Sequence, residues 1–442
     1  MTGRDTIFAL ASGIGRAGVA VVRLSGPMAG RALEALTGVD LPEPRRAALR
    51  TISTASGGVI DKALTLWFPG PRSFTGEDVA EFQVHGGRAV LTLLFGALGA
   101  LPDLRPAEPG EFSRRAFENG RMDLTEAEGL ADLISAETEA QRRQALRQME
   151  GQLGQLYDGW RVELISAMAA QEAAVDFPDE DLPTDLLQGV GRRVEALRAA
   201  IRQHLDDRRA GERLREGLSV AILGEPNVGK SSLINVLARR EAAIVSAQPG
   251  TTRDVVEIQL ELEGLLVTLA DTAGLRAAAE EIEAEGIRRA YGRAERADLK
   301  LVLVEAASLP YIHNDVAALL DDRALLVANK AEVASPEPVW RGRRVFAVSA
   351  RTGAGIADLL REIGLFLAHD VGAADTVGIT RERHRHALTE ALAALDRFSM
   401  APYPELAAED LRLAARALGR ITGRVDVEDI LDDLFRTFCI GK

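Results

Sequence analysis

The sequence predicts a multidomain protein of α/β plus α class: an N-terminal α+β domain, a helical domain, and an α/β domain with a doubly wound sheet inserted into the helical one. Three observations predict it. Short β-rich runs punctuated by Gly and Pro fill residues 1–118. Apolar residues at helical spacing dominate 119–215 and return over 373–442. Between them, over 216–372, continuous apolar runs alternate with helical stretches.

Composition sets the outer limits. Hydrophobic residues make up 47% and charged residues 27% of the 442, a globular balance that excludes large-scale disorder and fibrous repeats. Lys and Arg number 53 against 66 Asp and Glu, a formal charge of −13. That excludes coating of nucleic acid through bulk positive charge, though not a local basic patch. The single cysteine, Cys439, has no intrachain partner and fits a reducing compartment. The most apolar stretch, Ala89 to Leu101, is broken by Gly96 and Gly99 and is shorter than the roughly 20 residues a spanning helix needs. With no targeting signature at the start, the expectation is a cytoplasmic protein without a membrane element.

Taken in order, Val19–Leu24, Ala63–Phe68 and Val79–Val84 read as strands, separated by Gly57-Gly58, Pro69-Gly70-Pro71 and Gly86-Gly87. Ala89 to Ala100 reads as a helix. From residue 119, Thr125-Glu-Ala-Glu128 fits a capping box opening a helix. Leu130, Leu133 and Ile134, then Ala145, Leu146 and Met149, carry the helical period onward. Leu153–Ala174 and Val190–Leu205 continue it around an acidic loop at 176–183 that lacks the ligand spacing of an EF-hand. The runs Leu218–Leu223, Leu265–Ala270, Leu299–Val304, Ala324–Ala328 and Val345–Val348 read as buried parallel strands. Ile379 to Phe438 is again amphipathic helix.

The chemistry sits at the ends of those strands. Gly224-Glu-Pro-Asn227-Val228-Gly229-Lys230-Ser231 fits the phosphate loop G-x-x-x-x-G-K-[ST] between a strand and a helix opening at Ser232. Backbone N–H groups there wrap phosphate, Lys230 reaches the β- and γ-phosphates, and Ser231 holds Mg²⁺. Asp271-Thr272-Ala273-Gly274 ends a second strand, with a carboxylate for the Mg²⁺ shell and a Gly274 amide for the γ-phosphate. Gly250-Thr251-Thr252-Arg-Asp254 lies between these two as a switch segment, Thr252 completing the Mg²⁺ shell. Asn329-Lys330-Ala-Glu332 and Ser349-Ala350-Arg351 close two further strands and look like the guanine-reading motifs of small GTPases. A carboxylate at 332 accepts from guanine N1–H and its exocyclic amine, and the Ala350 amide donates to O6. The usual residue at 332 is Asp; this chain has Glu, one methylene longer. Together these motifs describe an inserted Ras-like P-loop GTPase domain.

The order GEPNVGKSS, GTTRD, DTAGL, NKAE, SAR resembles bacterial translation-factor-type GTPases. Phe74-Thr-Gly-Glu-Asp78, His85-Gly-Gly87, Pro109-Gly-Glu-Phe-Ser113 and Phe438-Cys-Ile-Gly-Lys442 narrow the resemblance to the MnmE (TrmE) tRNA modification GTPases, over essentially the whole chain. The resemblance implies an N-terminal folate-binding and dimerisation domain. It implies a homodimer that joins a flavoprotein partner, MnmG-like, in a heterotetramer. Their product is a tRNA wobble uridine carrying an aminomethyl or carboxymethylaminomethyl group at C5, with 5-formyltetrahydrofolate or a related one-carbon folate as donor. The tRNA would be held mainly within that complex. Folate contacts carry over to Arg23, Glu81, Arg121 (usually Lys) and Lys442. Position 275 is Leu, so no Gln orients water there; the family instead pairs its G domains around K⁺. Its ligands carry over to Asn227, Ser246, Gln248 and Thr251, and the catalytic groups to Glu283, Arg276 and Thr252.

Several residues keep two readings. Cys439 is either a thiolate in the modification chemistry or a small buried apolar residue. His85 either contacts a folate or closes a strand end. The run Thr380-Arg-Glu-Arg-His-Arg-His386 either touches tRNA phosphate or forms a solvated helix face, the second being favoured. The competing function is a ribosome-assembly or RNA-associated regulatory GTPase without modification chemistry. A separate RNA-binding module would favour it, and the sequence shows none.

Overall fold

The computed structural model describes residues 5–13, 15–176, 184–239, 243–244, 257–271, 295–371, 378–425, 431, 434–436, 438 and 441. The chain divides into two compact units: Met1–Ala131, Gln148–Val190 and Arg397–Lys442 form one, and Asp132–Arg147 with Gly191–Asp396 the other.

In the first unit, strands β1 (Thr6–Leu10), β2 (Ala20–Ser25), β3 (Ala48–Ser53), β4 (Val59–Phe68), β5 (Val79–Val84) and β6 (Leu104–Pro106) form one sheet in the order β3-β4-β5-β2-β1-β6. Only the β1–β6 pair is parallel; the others are antiparallel. Alternating residues explain the layering. Phe8, Val22, Leu24, Trp67 and Phe82 meet Leu33 and Leu36 of helix α1 (Ala29–Thr37) and Leu94 and Leu98 of α2 (Arg88–Gly99) on one face. On the other, Ile7 and Ala9 pack with Ala107, Phe74 and Phe112, the last on α3 (Glu111–Glu118). The three expected strands are present, β4 starting at Val59 rather than Ala63. The strands β1, β3 and β6 are too short to stand out before packing selects them, whereas α1 is legible: its buried Ala29, Ala32, Leu33 and Leu36 recur at i, i+3, i+4 and i+7.

Helix α4 (Leu124–Ser135) corrects two expectations. Its box is formed by Asp123 and Glu126, not Thr125 and Glu128: Asp123 Oδ1 accepts from Glu126 N at 2.8 Å, and Glu126 Oε2 accepts from Asp123 N at 2.7 Å. An Asp caps a helix better than a Thr, so the helix starts at the earlier residue. Its buried face is Leu124, Ala127 and Glu128, while Ile134 is exposed. After α5 (Glu139–Met149), the long α6 (Gln152–Asp176) lies antiparallel to a late helix at Pro404–Thr422, as Gln171 Nε2 donates to Pro404 O at 3.2 Å and Thr422 Oγ1 to Asp158 Oδ1 at 3.2 Å. Ala407, Ala408, Ala414 and Ala415 are buried on that late helix, small enough for close approach.

In the second unit, α7 (Thr184–Leu205, from residue 191) and α8 (Ala210–Glu216) lead into β7 (Leu218–Gly224). The helix α9 (Lys230–Leu237) follows, then β8 (Ala243–Ile244), β9 (Glu257–Leu262), β10 (Leu265–Asp271), β11 (Leu299–Glu305), β12 (Ala324–Asn329), β13 (Val339–Trp340) and β14 (Arg343–Ala347). The sheet runs β13-β14-β12-β11-β7-β10-β9-β8. Its five central strands, β14 to β10, are parallel; β13, β9 and β8 are antiparallel at the edges. Each apolar run is continuous because both faces are covered. Leu218, Val220 and Ile222 of β7 pack with α9 and the helix Ile356–Val371, while Ala221 and Leu223 pack with Ala297 and Leu319 on the other side. The chain goes from β7 to β10 on one side and later to β11 on the other, so strand order reverses at β7.

The basic run 380–386 is not the solvated face expected. Thr380 and His384 are buried. Arg381 pairs with Asp132 at 2.7 Å, and Arg385 with Asp207 at 2.7 Å and Glu212 at 3.0 Å. Three carboxylates from elsewhere in the same unit absorb the charge. The acidic loop beyond Asp176 lies outside the described residues.

Candidate functional site

An open α/β sheet binds ligands at the carboxyl ends of its strands, beside the point where strand order reverses. The loop 224–231 leaves β7 at that point. Asp271 ends β10, Asn329 ends β12, and Ser349 stands just past the end of β14. Four motifs far apart in sequence therefore share one edge.

Asn329 ties its own motif to the phosphate loop and to the Ser349 loop. It is 2% exposed. Its Nδ2 donates to Val228 O in the phosphate loop at 2.9 Å, and its Oδ1 accepts from Ala350 N at 3.1 Å. One side chain thus sets the phosphate end of the site against the base end. Gly229 makes this possible: it opens α9 at φ 95°, and a Cβ there would stand 2.3 Å from Asn329 Nδ2. Asn227 also takes a left-handed backbone, φ 66°, which Asn tolerates better than most side chains. Lys230 Nζ folds over the loop to Gly224 O and Glu225 O, both at 2.8 Å. Ser231 and Ser232 are exposed at the start of α9, where the helix field favours anions. Lys330 pairs with Glu305 at the end of β11, a partner that no motif announced.

At the base end, Ser349 is buried and its Oγ accepts from Thr352 N at 3.1 Å. Glu332 takes a hydrogen bond from Ser349 and an ion pair from Arg351 Nε at 3.1 Å. The Ser349 bond first, and Arg351 with it, hold the Glu332 carboxyl below its usual range, so it is a charged acceptor. The switch and catalytic assignments Ser246, Gln248, Thr251, Thr252, Thr272, Ala273, Gly274, Arg276 and Glu283 lie outside the described residues, as do Cys439 and Lys442.

A second cluster lies in the first unit. Arg23 on β2 stands directly across from Glu81 on β5, and Arg23 Nε donates to Glu81 Oε1 at 2.9 Å. The Phe74 ring lies 5.4 Å from the Arg23 guanidinium. A Cβ at Gly76 would meet Arg121 Cγ at 3.2 Å, so the loop carrying Phe74 also touches Arg121. The three described folate candidates are thus gathered around one loop.

Beside that loop is a network that sequence reasoning missed. Buried Arg115 bonds Glu77, Asp5 and Glu111 at 3.0–3.2 Å. Ser25 donates to Glu77 at 2.6 Å and shares a 2.6 Å bond with Thr75. Burial pushes the Glu111 carboxyl up, but hydrogen bonds from Arg105, Glu108 N and Arg115 outweigh it and hold it low. The F-T-G-E-D and P-G-E-F-S motifs are legible as strings; that Glu77 and Glu111 share one arginine is not. His85 closes β5, its Nδ1 and N bonding Asp61 at 2.9 and 2.8 Å.

A phosphate loop tied through a buried Asn to a guanine-type carboxylate loop, on a doubly wound sheet, defines a P-loop GTPase. Comparison with known proteins agrees and is narrower. The GTP-binding protein TrmE N-terminus family matches residues 6–121, and the MnmE helical domain family residues 124–439. The tRNA modification GTPase MnmE of Paramagnetospirillum magneticum is 56% identical over 99% of this chain and 100% of its own length. Those of Parvibaculum lavamentivorans and Rhodospirillum rubrum are 56% and 55% identical, each over 99% of this chain and 100% and 99% of their own lengths. Among solved structures, the G domain of the T. maritima FeoB iron transporter aligns over 34% of this chain and 99% of its own at 26% identity, with a TM-score of 0.26. The chain belongs to the MnmE (TrmE) family of tRNA modification GTPases.

Proposed function

We infer that this protein hydrolyses GTP in the service of tRNA modification. The observation that carries the reading is the Asn329 clasp, which sets a phosphate loop and a guanine-type carboxylate on one sheet edge of a chain matched end to end by tRNA modification GTPases. Ser231 and Thr252 hold Mg²⁺, which neutralises charge developing on the phosphates. Asn227, Ser246, Gln248 and Thr251 hold K⁺, whose charge supplies what an arginine finger supplies elsewhere. Asn227 suits that role because it is exposed at a left-handed turn of the phosphate loop, open to a ligand. Glu283 orients water, with Arg276 and Thr252 in the surrounding switches.

The finer reaction is the C5 modification of a wobble uridine with an MnmG-like flavoprotein, the chain acting as a cytoplasmic homodimer. A one-carbon folate supplies the carbon. Arg23, Glu81 and Arg121 suit it by hydrogen-bonding chemistry: guanidinium groups donate to carboxylates, and a carboxylate accepts from ring N–H groups. Lys442 is assigned with them by the resemblance, and its neighbour Gly441 lies against Leu10, its ideal Cβ 2.1 Å from Leu10 O. The functional division into 1–118, 119–215, 216–372 and 373–442 is part of the same reading.

The test is GTP hydrolysis in K⁺ and in Na⁺ at matched ionic strength, with ATP as control. A finger-like charge is worth about 10³–10⁵ in rate, so K⁺ stimulation of at least about tenfold, lost in Asn227→Ala, is expected. Equal rates in both salts would remove the K⁺ mechanism. Comparable ATP hydrolysis would remove the guanine assignment.

A further inference from the structure

Position 332 departs from the usual Asp, and the structure supplies a compensation for it. A Glu placed where an Asp reads guanine has one more rotatable bond and a carboxylate about one methylene too far out. Left alone, it must give up extra rotamer freedom on binding the base. Here the side chain is already held. Ser349, buried and fixed by Thr352 N, bonds the carboxylate from one side. Arg351 Nε pairs with Oε1 at 3.1 Å. Both partners belong to the loop whose Ala350 N–H is fixed by Asn329.

We propose that Arg351 is a positioning residue for guanine selection, drawing the longer Glu332 carboxylate back toward Ser349 so that it meets the base edge where an Asp would stand unaided. This rests on the guanine reading above and adds a dependence that reading does not require. With Asp at 332 the reach is correct without a tether, so Arg351 should matter only while Glu is present. Arg351 is mostly exposed, so its ion pair is modest and screened by salt.

The experiment is a double-mutant cycle on GDP affinity of the full chain, read by fluorescence of a labelled GDP, with inosine diphosphate as the partner lacking the exocyclic amine. Arg351→Ala should weaken GDP about fivefold in the Glu332 protein, and inosine diphosphate less, so that discrimination between the two falls. In Glu332→Asp the same change should cost less than about twofold. Arg351→Lys, which keeps the charge and loses the fixed Nε geometry, should fall between. An equal loss in both backgrounds would overturn the proposal and assign Arg351 to direct packing on the base. No loss in either would overturn it as well. If the unmutated protein binds no GDP, the guanine reading itself falls; if it binds GDP but the cycle is additive, only the tether falls. Thermal midpoints of all variants exclude unfolding as the cause. The salt dependence of GDP affinity, which should diminish in Arg351→Ala, tests the same tether should Glu332→Asp fail to fold.

Discussion

Asn329 offers the sharpest perturbation of the nucleotide site. Asn329→Ala removes the bonds to Val228 O and Ala350 N together, at a position 2% exposed. Each such bond is worth about 0.5–1.5 kcal/mol net, and a stranded buried partner costs about 1–3 kcal/mol. The two loops should therefore open more easily by about 2 kcal/mol, which is roughly a thirtyfold rise in exchange of the Ala350 amide. Hydrogen exchange reads this directly, and GDP affinity should fall alongside because both ends of the site lose their register. Asn329→Asp separates geometry from charge. The new carboxylate still accepts from Ala350 N–H but faces the Val228 carbonyl with no proton to donate, and it buries a charge. The defect should therefore exceed that of Asn329→Ala at neutral pH and shrink as acid protonates the carboxylate, since the protonated acid regains a donor. Unchanged Ala350 exchange and GDP affinity in Asn329→Ala would refute the clasp. A defect in Asn329→Asp that is indifferent to pH would refute the assigned direction of the Val228 bond.

Two further expectations concern the first unit. The Glu111 carboxyl is held below its ordinary value by Arg105 and Arg115 despite burial, so the stability it contributes is fully present above about pH 4.5. It is lost as pH falls through the lower folded value; acid unfolding of the protein should show this, and Glu111→Gln should flatten the slope below about pH 4.5. Gly441→Ala adds a Cβ that would stand 2.1 Å from Leu10 O at a φ of 99°, so the terminal segment must shift. Binding of 5-formyltetrahydrofolate, measured by calorimetry, should weaken at least about tenfold, the loss of one charge-assisted contact, while GDP affinity is retained. Equal folate affinity would detach the tail from the site.

Much of this molecule is written in its sequence. The parallel strands are visible there because a strand buried on both faces must be apolar throughout, and Leu218–Leu223 and Leu299–Val304 are. The nucleotide motifs are visible because phosphate binding needs Gly, Lys and Ser at fixed spacing in one local segment. Tertiary structure decided the rest. Local spacing could not show that this helix, α4, buries Leu124, Ala127 and Glu128 and leaves Ile134 exposed, because that depends on what packs against it. Nor could it tell that Arg381 and Arg385 find ion-pair partners, since Asp132, Asp207 and Glu212 lie 173 to 249 residues away in the chain. The same holds for Asn329, whose motif suggests a guanine contact but whose side chain joins Val228 and Ala350. It holds too for Arg115, which no motif singles out until Asp5, Glu77 and Glu111 close around it. Sequence determines what a segment can do alone, through period, propensity and local donors. Which charges are shared, and which loops are tied, depends on distances that exist only once the chain has folded.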